Sequence, residues 1–163
     1  MRGSFDTIEV GGQSTRLLDS GAGDPVVVLH GWGGRIESMA PVVSCLDSHF
    51  RVLALDLPGF GESPVPAGSW GTPDYAAYVQ DVLAKAGVER AHFLGHSYGA
   101  KTSLYLASTR PSLVEKLVLV GSSGLRTPPS LGARMKRGVS RAARGAGRLG
   151  PPAALSATAS TDG

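Results

Sequence analysis

Chemistry is concentrated at Gly95-His96-Ser97-Tyr98-Gly99. A serine sits between two glycines there, after the apolar run Ala91-His92-Phe93-Leu94 and before a stretch with no proline until Pro111. Strand, Gly-x-Ser-x-Gly, helix is the form of a nucleophile elbow, which lifts a hydroxyl clear of the backbone on a tight turn. Glycines at both flanking positions let neighbouring backbones approach, because they carry no Cβ. A serine hydroxyl is a poor nucleophile at neutral pH, so it needs a base and an acid that orients the base. It also needs donors for the oxyanion of a tetrahedral intermediate, and losing one such donor costs about 3–4 kcal/mol in the barrier. The backbone N–H of Tyr98, next after the serine, is one candidate donor. The second belongs to His30-Gly31-Trp32-Gly33-Gly34, with the N–H of Trp32 as candidate.

These residues need elements to hold them. Ser4–Val10 and Ser14–Asp19 read as a hairpin about Gly11-Gly12. Val26–Leu29 is continuously apolar, as in a strand covered on both faces of a parallel sheet. Ile36–Ser48 carries a helical stripe at Ile36, Met39, Val43 and Leu46, and Arg51–Leu57 is the next strand. Thr72 as N-cap and Pro73 open a helix with Tyr75, Tyr78, Val79, Val82, Leu83 and Ala86 on one face, and Gly87 ends it. The elbow strand, a helix over Ala100–Thr109 and a strand over Lys116–Val120 follow. The alternation predicts an α/β fold, a mostly parallel sheet with helices on both faces. The loops at His30, Asp56, Ser97 and Gly121 then all fall at the C-terminal strand ends, where ligands bind in such sheets.

His30-Gly31-Trp32-Gly33, Asp56-Leu57-Pro58-Gly59-Phe60-Gly61-Glu62-Ser63, Gly95-His96-Ser97-Tyr98-Gly99 and Leu117-Val118-Leu119-Val120-Gly121 occur in the order and spacing of the α/β-hydrolase superfamily. The chain resembles that superfamily over about residues 5–125. An elbow serine resembles its esterase, lipase, carbon–carbon hydrolase and perhydrolase branches. The resemblance implies Ser97 as nucleophile, Trp32 and Tyr98 as oxyanion donors, a small-molecule acyl substrate cleaved through an acyl-serine, and no cofactor or metal. It makes Asp56 structural. The family's later acid and histidine have no counterpart in sequence: no histidine follows His96, and the acids after Ser97 are Glu115 and Asp162. His30 is expected to make a structural hydrogen bond and His96 to point into the fold. His49 and His92 are expected at the opposite sheet edge or on the surface. The fold is therefore expected to be truncated after its sixth strand and the start of a lid, from a truncated or frame-shifted reading frame. A second reading follows: a catalytically inactive fragment or pseudoenzyme with at most ligand binding.

The chain has 163 residues with one cysteine, Cys45, expected to be a small buried apolar residue. Three segments are expected: 1–125, the N-terminal part of the hydrolase core; 126–150, a basic helix starting a lid; and 151–163, a disordered tail. Residues 1–125 hold 9 Lys/Arg against 12 Asp/Glu, a net of −3, whereas 126–163 hold 7 Lys/Arg and 1 Asp, a net of +6. The basic charge thus belongs to the tail, and no nucleic-acid partner is expected for the body. No signal peptide or membrane-spanning run is expected, so a cytoplasmic location follows, with the basic tail as the one feature favouring a membrane surface. The Lys116–Val120 strand is expected to be an exposed apolar edge, which favours association.

Overall fold

The computed structural model describes residues 3–124. The chain divides into two parts, Met1–Leu125 and Arg126–Gly163. The described residues belong to the first; the lid and tail expectations fall on 126–163, outside the described residues.

Six strands form one sheet: β1 (Ser4–Val10), β2 (Gln13–Ser20), β3 (Pro25–Leu29), β4 (Arg51–Leu55), β5 (Ala91–His96) and β6 (Val114–Val120), in spatial order β1-β2-β4-β3-β5-β6. β1 and β2 form the expected hairpin, and β2 runs antiparallel to β4. The β4-β3-β5-β6 block is parallel, with Val27 opposite both Leu53 and Phe93. The sheet is thus mostly parallel, as expected.

α1 (Ala40–Leu46) lies on one face, and α2 (Thr72–Lys85) and α3 (Tyr98–Thr109) lie on the other. Strand alternation explains the division. Val27, Leu29, Leu53, Leu55 and Phe93 point to the α2/α3 face and pack with Val79, Val82, Leu83 and Leu106. Val26, Val28, Val52 and Ala54 point the other way, to Ile36, Met39 and Val43.

Several expected boundaries shift for local reasons. The Ile36–Ser48 helix is split into a 3₁₀ turn, Ile36–Met39, and α1. Pro41 causes the break, since it has no N–H to bond to the previous turn. Thr72 is the first helical residue rather than the cap. Gly71 occupies the cap, and its N–H donates to Asp74 Oδ2 at 2.7 Å. Ala86 caps the C-terminus of α2 and is only half-buried. Cys45 is exposed, not buried, because α1 turns Val43 to the sheet and leaves Cys45 on its outer side.

Candidate active site

The strand order reverses at β3. The chain goes from β3 to β4 on one side, then crosses with α2 to place β5 on the other. A crevice opens at such a switch point, beyond the carboxyl ends of the two strands. The loop leaving β3 and the turn leaving β5 face each other there, with Leu29 level with Gly95.

Ser97 stands at the turn between β5 and α3 with φ 51° and ψ −106°. It is the one non-glycine residue with positive φ among the described residues. Such a conformation costs on the order of 1–3 kcal/mol and persists only where its surroundings impose it. Main-chain bonds impose it here. The Ser97 N–H donates to Val120 C=O at 2.9 Å, and the Ser97 C=O accepts the N–H groups of Lys101 at 3.1 Å and Ser123 at 3.3 Å. The flanking glycines are required sterically. A Cβ on Gly95 would stand 2.5 Å from Ala100 Cα, and one on Gly99 would strike the carbonyls of Leu29 and His30.

The β3 loop passes directly over the elbow: a Cβ on Gly31 would lie 3.1 Å from Ser97 Cβ. Gly34 N–H donates to Gly31 C=O at 2.9 Å, which closes a tight turn across Trp32 and Gly33, and Gly33 supplies the positive φ of 72°. That turn leaves the Trp32 N–H without a hydrogen bond among the described residues. The Tyr98 N–H, first in α3, is likewise free, as the opening N–H groups of a helix are. The side chains of the two residues touch edge to face, with ring centroids 5.1 Å apart.

His30 is 1% exposed, and both ring nitrogens are engaged. Leu57 N–H donates to Nε2 at 3.0 Å, so Nε2 carries no proton. Nδ1–H then donates to Gly31 C=O at 2.7 Å. Burial pushes the imidazole pKa down, against the opposing pull of the Gly31 carbonyl and the Asp56 charge. His30 is a neutral strut between the β3 and β4 loops, as expected. Asp56 is fully buried and structural, as the resemblance implies. Its Oδ1 accepts Ile36 N–H at 2.7 Å, its Oδ2 accepts Glu62 N–H at 2.9 Å, and Arg16 Nη1 lies 3.5 Å from Oδ2.

The other histidines divide. His49 is exposed at the end of the α1 turn. His92 packs on Phe50 near the start of β5, level with Val26, at the opposite edge. His96 departs from expectation: it is exposed rather than directed into the fold. Strand alternation sets it on the face opposite Phe93. Gly31 and Gly121 lie beside its ring: a Cβ added to them would stand 3.0 and 4.0 Å from Nδ1 and Nε2. No described imidazole or carboxylate hydrogen-bonds to the Ser97 hydroxyl, and no described cluster of His, Cys, Asp and Glu is arranged to hold a metal ion.

Sequence reading missed two groups. Arg16, from β2, contacts Glu37 at 2.8 Å, Glu62 at 3.1 Å and Asp56, which ties the segments after β3 and β4 to the sheet. Trp32, Phe60, Tyr75 and Tyr98 close a circuit of ring contacts, with centroid separations of 4.8, 6.5, 5.5 and 5.1 Å in order around it. Tyr75 O–H also donates to Pro58 C=O at 3.0 Å. The signal for the circuit was an aromatic in each of four otherwise Gly- or Pro-rich segments.

The Ser97 turn, the β3 loop and the buried Asp56 stand together at the C-terminal ends of the parallel strands. The family model for the alpha/beta hydrolase fold matches residues 24–148. The chain belongs to the α/β-hydrolase family. One relative is the 2-hydroxy-6-oxo-2,4-heptadienoate hydrolase of Pseudomonas putida, 37% identical over 71% of this chain and 43% of the relative. Another is the dihydrolipoyllysine-residue acetyltransferase component of the acetoin cleaving system of the same species, 36% identical over 72% of this chain and 32% of the relative. A hydrolase from Pseudomonas aeruginosa has a similar solved structure: TM-score 0.71 and 28% identity, over 93% of this chain and 61% of that one. The chain spans less than half the length of these curated relatives. No described helix of this α/β hydrolase is long and apolar enough to cross a membrane.

Proposed function

We propose that this chain carries the nucleophile half of a serine hydrolase acting on an ester or related small-molecule acyl substrate. Ser97 Oγ attacks the acyl carbon. The carbonyl oxygen becomes an oxyanion that takes hydrogen bonds from the N–H groups of Trp32 and Tyr98, and collapse expels the leaving group and leaves an acyl-serine for water to cleave. The observation that carries this reading is the strained Ser97, clamped by three main-chain bonds at the β3/β5 switch point beside two N–H groups with no partner among the described residues. No described imidazole or carboxylate hydrogen-bonds to the Ser97 hydroxyl, so this reading assigns its proton to a base outside residues 3–124, which passes it to the leaving group.

That same observation favours a second reading, a site that binds an acyl compound without turning it over. Oxyanion donors and binding alone leave only a residual acceleration. Incubation with a fluorophosphonate and an activated aryl ester, beside Ser97→Ala, separates the two. Stoichiometric labelling at Ser97 with ester turnover is expected for the enzyme. No labelling of the parent chain overturns the first reading in favour of the second.

A further inference from the structure

The loop that carries Trp32 is pinned at both ends. His30 and Asp56 fix its stem, and the Gly34 N–H to Gly31 C=O bond closes its turn. Trp32 and Gly33, between those bonds, make no main-chain hydrogen bond among the described residues. The indole holds them instead. It is 66% exposed, and it meets Phe60 at 4.8 Å with 70° between the planes and Tyr98 at 5.1 Å with 84°.

Both of those rings lean on one further ring. Tyr75 of α2 lies 5.5 Å from Tyr98, at 86°, and 6.5 Å from Phe60. It is 4% exposed, and its O–H donates to Pro58 C=O at 3.0 Å, which ties it to the loop that carries Phe60. Tyr98 follows the elbow serine, so Tyr75 joins the two supports of Trp32 to each other. Tyr78, one turn on, offers a contrast. It is 6% exposed, and its O–H donates to Gln13 C=O, also at 3.0 Å. Trp70 touches both tyrosines, with centroids 5.3 Å from each. Among the described residues Tyr78 has no ring contact with Trp32, Phe60 or Tyr98. The two tyrosines match in burial and in hydroxyl bonding, and only Tyr75 reaches the elbow.

We propose that Tyr75 is a positioning residue for the oxyanion site. It holds Phe60 and Tyr98 where they fix Trp32 beside Ser97, and so sets the aim of the Trp32 N–H. The inference rests on the acyl-site reading above and adds to it a buried residue that touches no substrate. Aim matters, because a misplacement of about 1 Å can cost about a hundredfold in rate.

The full chain is labelled with 15N at its two tryptophans, with Trp32→Phe assigning the indole resonances. The heteronuclear NOE of each indole N–H, which falls as the group gains fast motion, is measured in the parent, Tyr75→Met, Tyr78→Met and Tyr75→Phe. Fluorophosphonate labelling rates and urea midpoints are read on the same samples. In that labelling Ser97 Oγ bonds to phosphorus, fluoride and the hydroxyl proton depart, and the phosphoryl oxygen takes the two N–H groups. Tyr75→Met is expected to loosen both indoles and slow labelling about tenfold or more. Tyr78→Met is expected to loosen Trp70 alone and to label at the parent's rate, although both variants lower the urea midpoint. Tyr75→Phe keeps the ring and is expected to recover most of the rate and of the Trp32 NOE. An unchanged Trp32 NOE in Tyr75→Met, or labelling slowed no more by Tyr75→Met than by Tyr78→Met, overturns the proposal and leaves Tyr75 a core residue like its neighbour. Tyr75→Leu, read in the same way, takes the place of Tyr75→Met if that variant does not fold. A parent chain that takes no label removes the hydrolase reading alone, because the Trp32 NOE still decides whether Tyr75 places the indole.

Discussion

At the scale of single residues, the site depends on groups that react with nothing. His30 is the clearest. Its imidazole joins the β3 loop to the β4 loop only while Nε2 is unprotonated, because a protonated Nε2 cannot accept the Leu57 N–H. Burial lowers its folded-state pKa from the ordinary 6.5. The unfolded chain therefore takes up a proton that the native chain resists. Stability from His30 is complete above about pH 6.5 and is lost as pH falls toward the folded value. The gap in urea midpoint between the parent chain and His30→Asn is expected to narrow between about pH 7.5 and about pH 5. A gap that stays constant over that range would show that the ring's protonation does not matter to the fold. His30 was legible in sequence because its loop was. His96 was not: its exposure follows from which face alternation assigns it, and its ring lies beside glycines 65 and 25 positions away, at Gly31 and Gly121.

At the scale of elements, loops rather than helices carry the long-range order, and one carboxylate fixes two of them. Asp56 takes the N–H that opens the 3₁₀ turn at Ile36 and the N–H of Glu62 in its own loop, with Arg16 of β2 as counter-charge. Asp56→Ala leaves two N–H groups and a guanidinium without that oxygen pair. It is expected to cost about 3–5 kcal/mol in urea unfolding, the range for breaking a buried pair. Asp56→Asn keeps an acceptor oxygen and is expected to cost less. A loss below about 1 kcal/mol for Asp56→Ala would mark the contact as no stronger than a surface pair. Helix and strand identities were readable because periodicity is local. The Asp56–Arg16 link was not, because it joins residues 40 positions apart whose types are ordinary on a strand and in a turn. Proline chemistry explains the largest error within an element: Pro41 satisfies the apolar stripe of one long helix yet breaks its hydrogen bonds.

At the scale of the molecule, the described sheet is packed on both faces at its centre and ends in two edge strands, β1 and β6, of which β6 is the parallel one. β6 has a strand partner only in β5 among the described residues, and Val118 and Val120 are 52% and 48% exposed on it. Leu104 and Tyr105 of α3, each 36% exposed, add apolar surface along the same margin. An open edge of this kind offers unpaired main-chain groups to any other strand. The chain is expected to sediment as associated species at micromolar concentration, and Val118→Lys with Val120→Lys is expected to shift it toward monomer. A parent chain that sediments as a single monomer would remove the argument. On the far face, the lone thiol of Cys45 points outward from α1, while α2 and α3 lie across the sheet. A maleimide dye or spin label can therefore be attached at one known point without mutagenesis, on the helix across the sheet from α2 and α3, and the molecule comes with its own reference mark for measuring distances to the elbow.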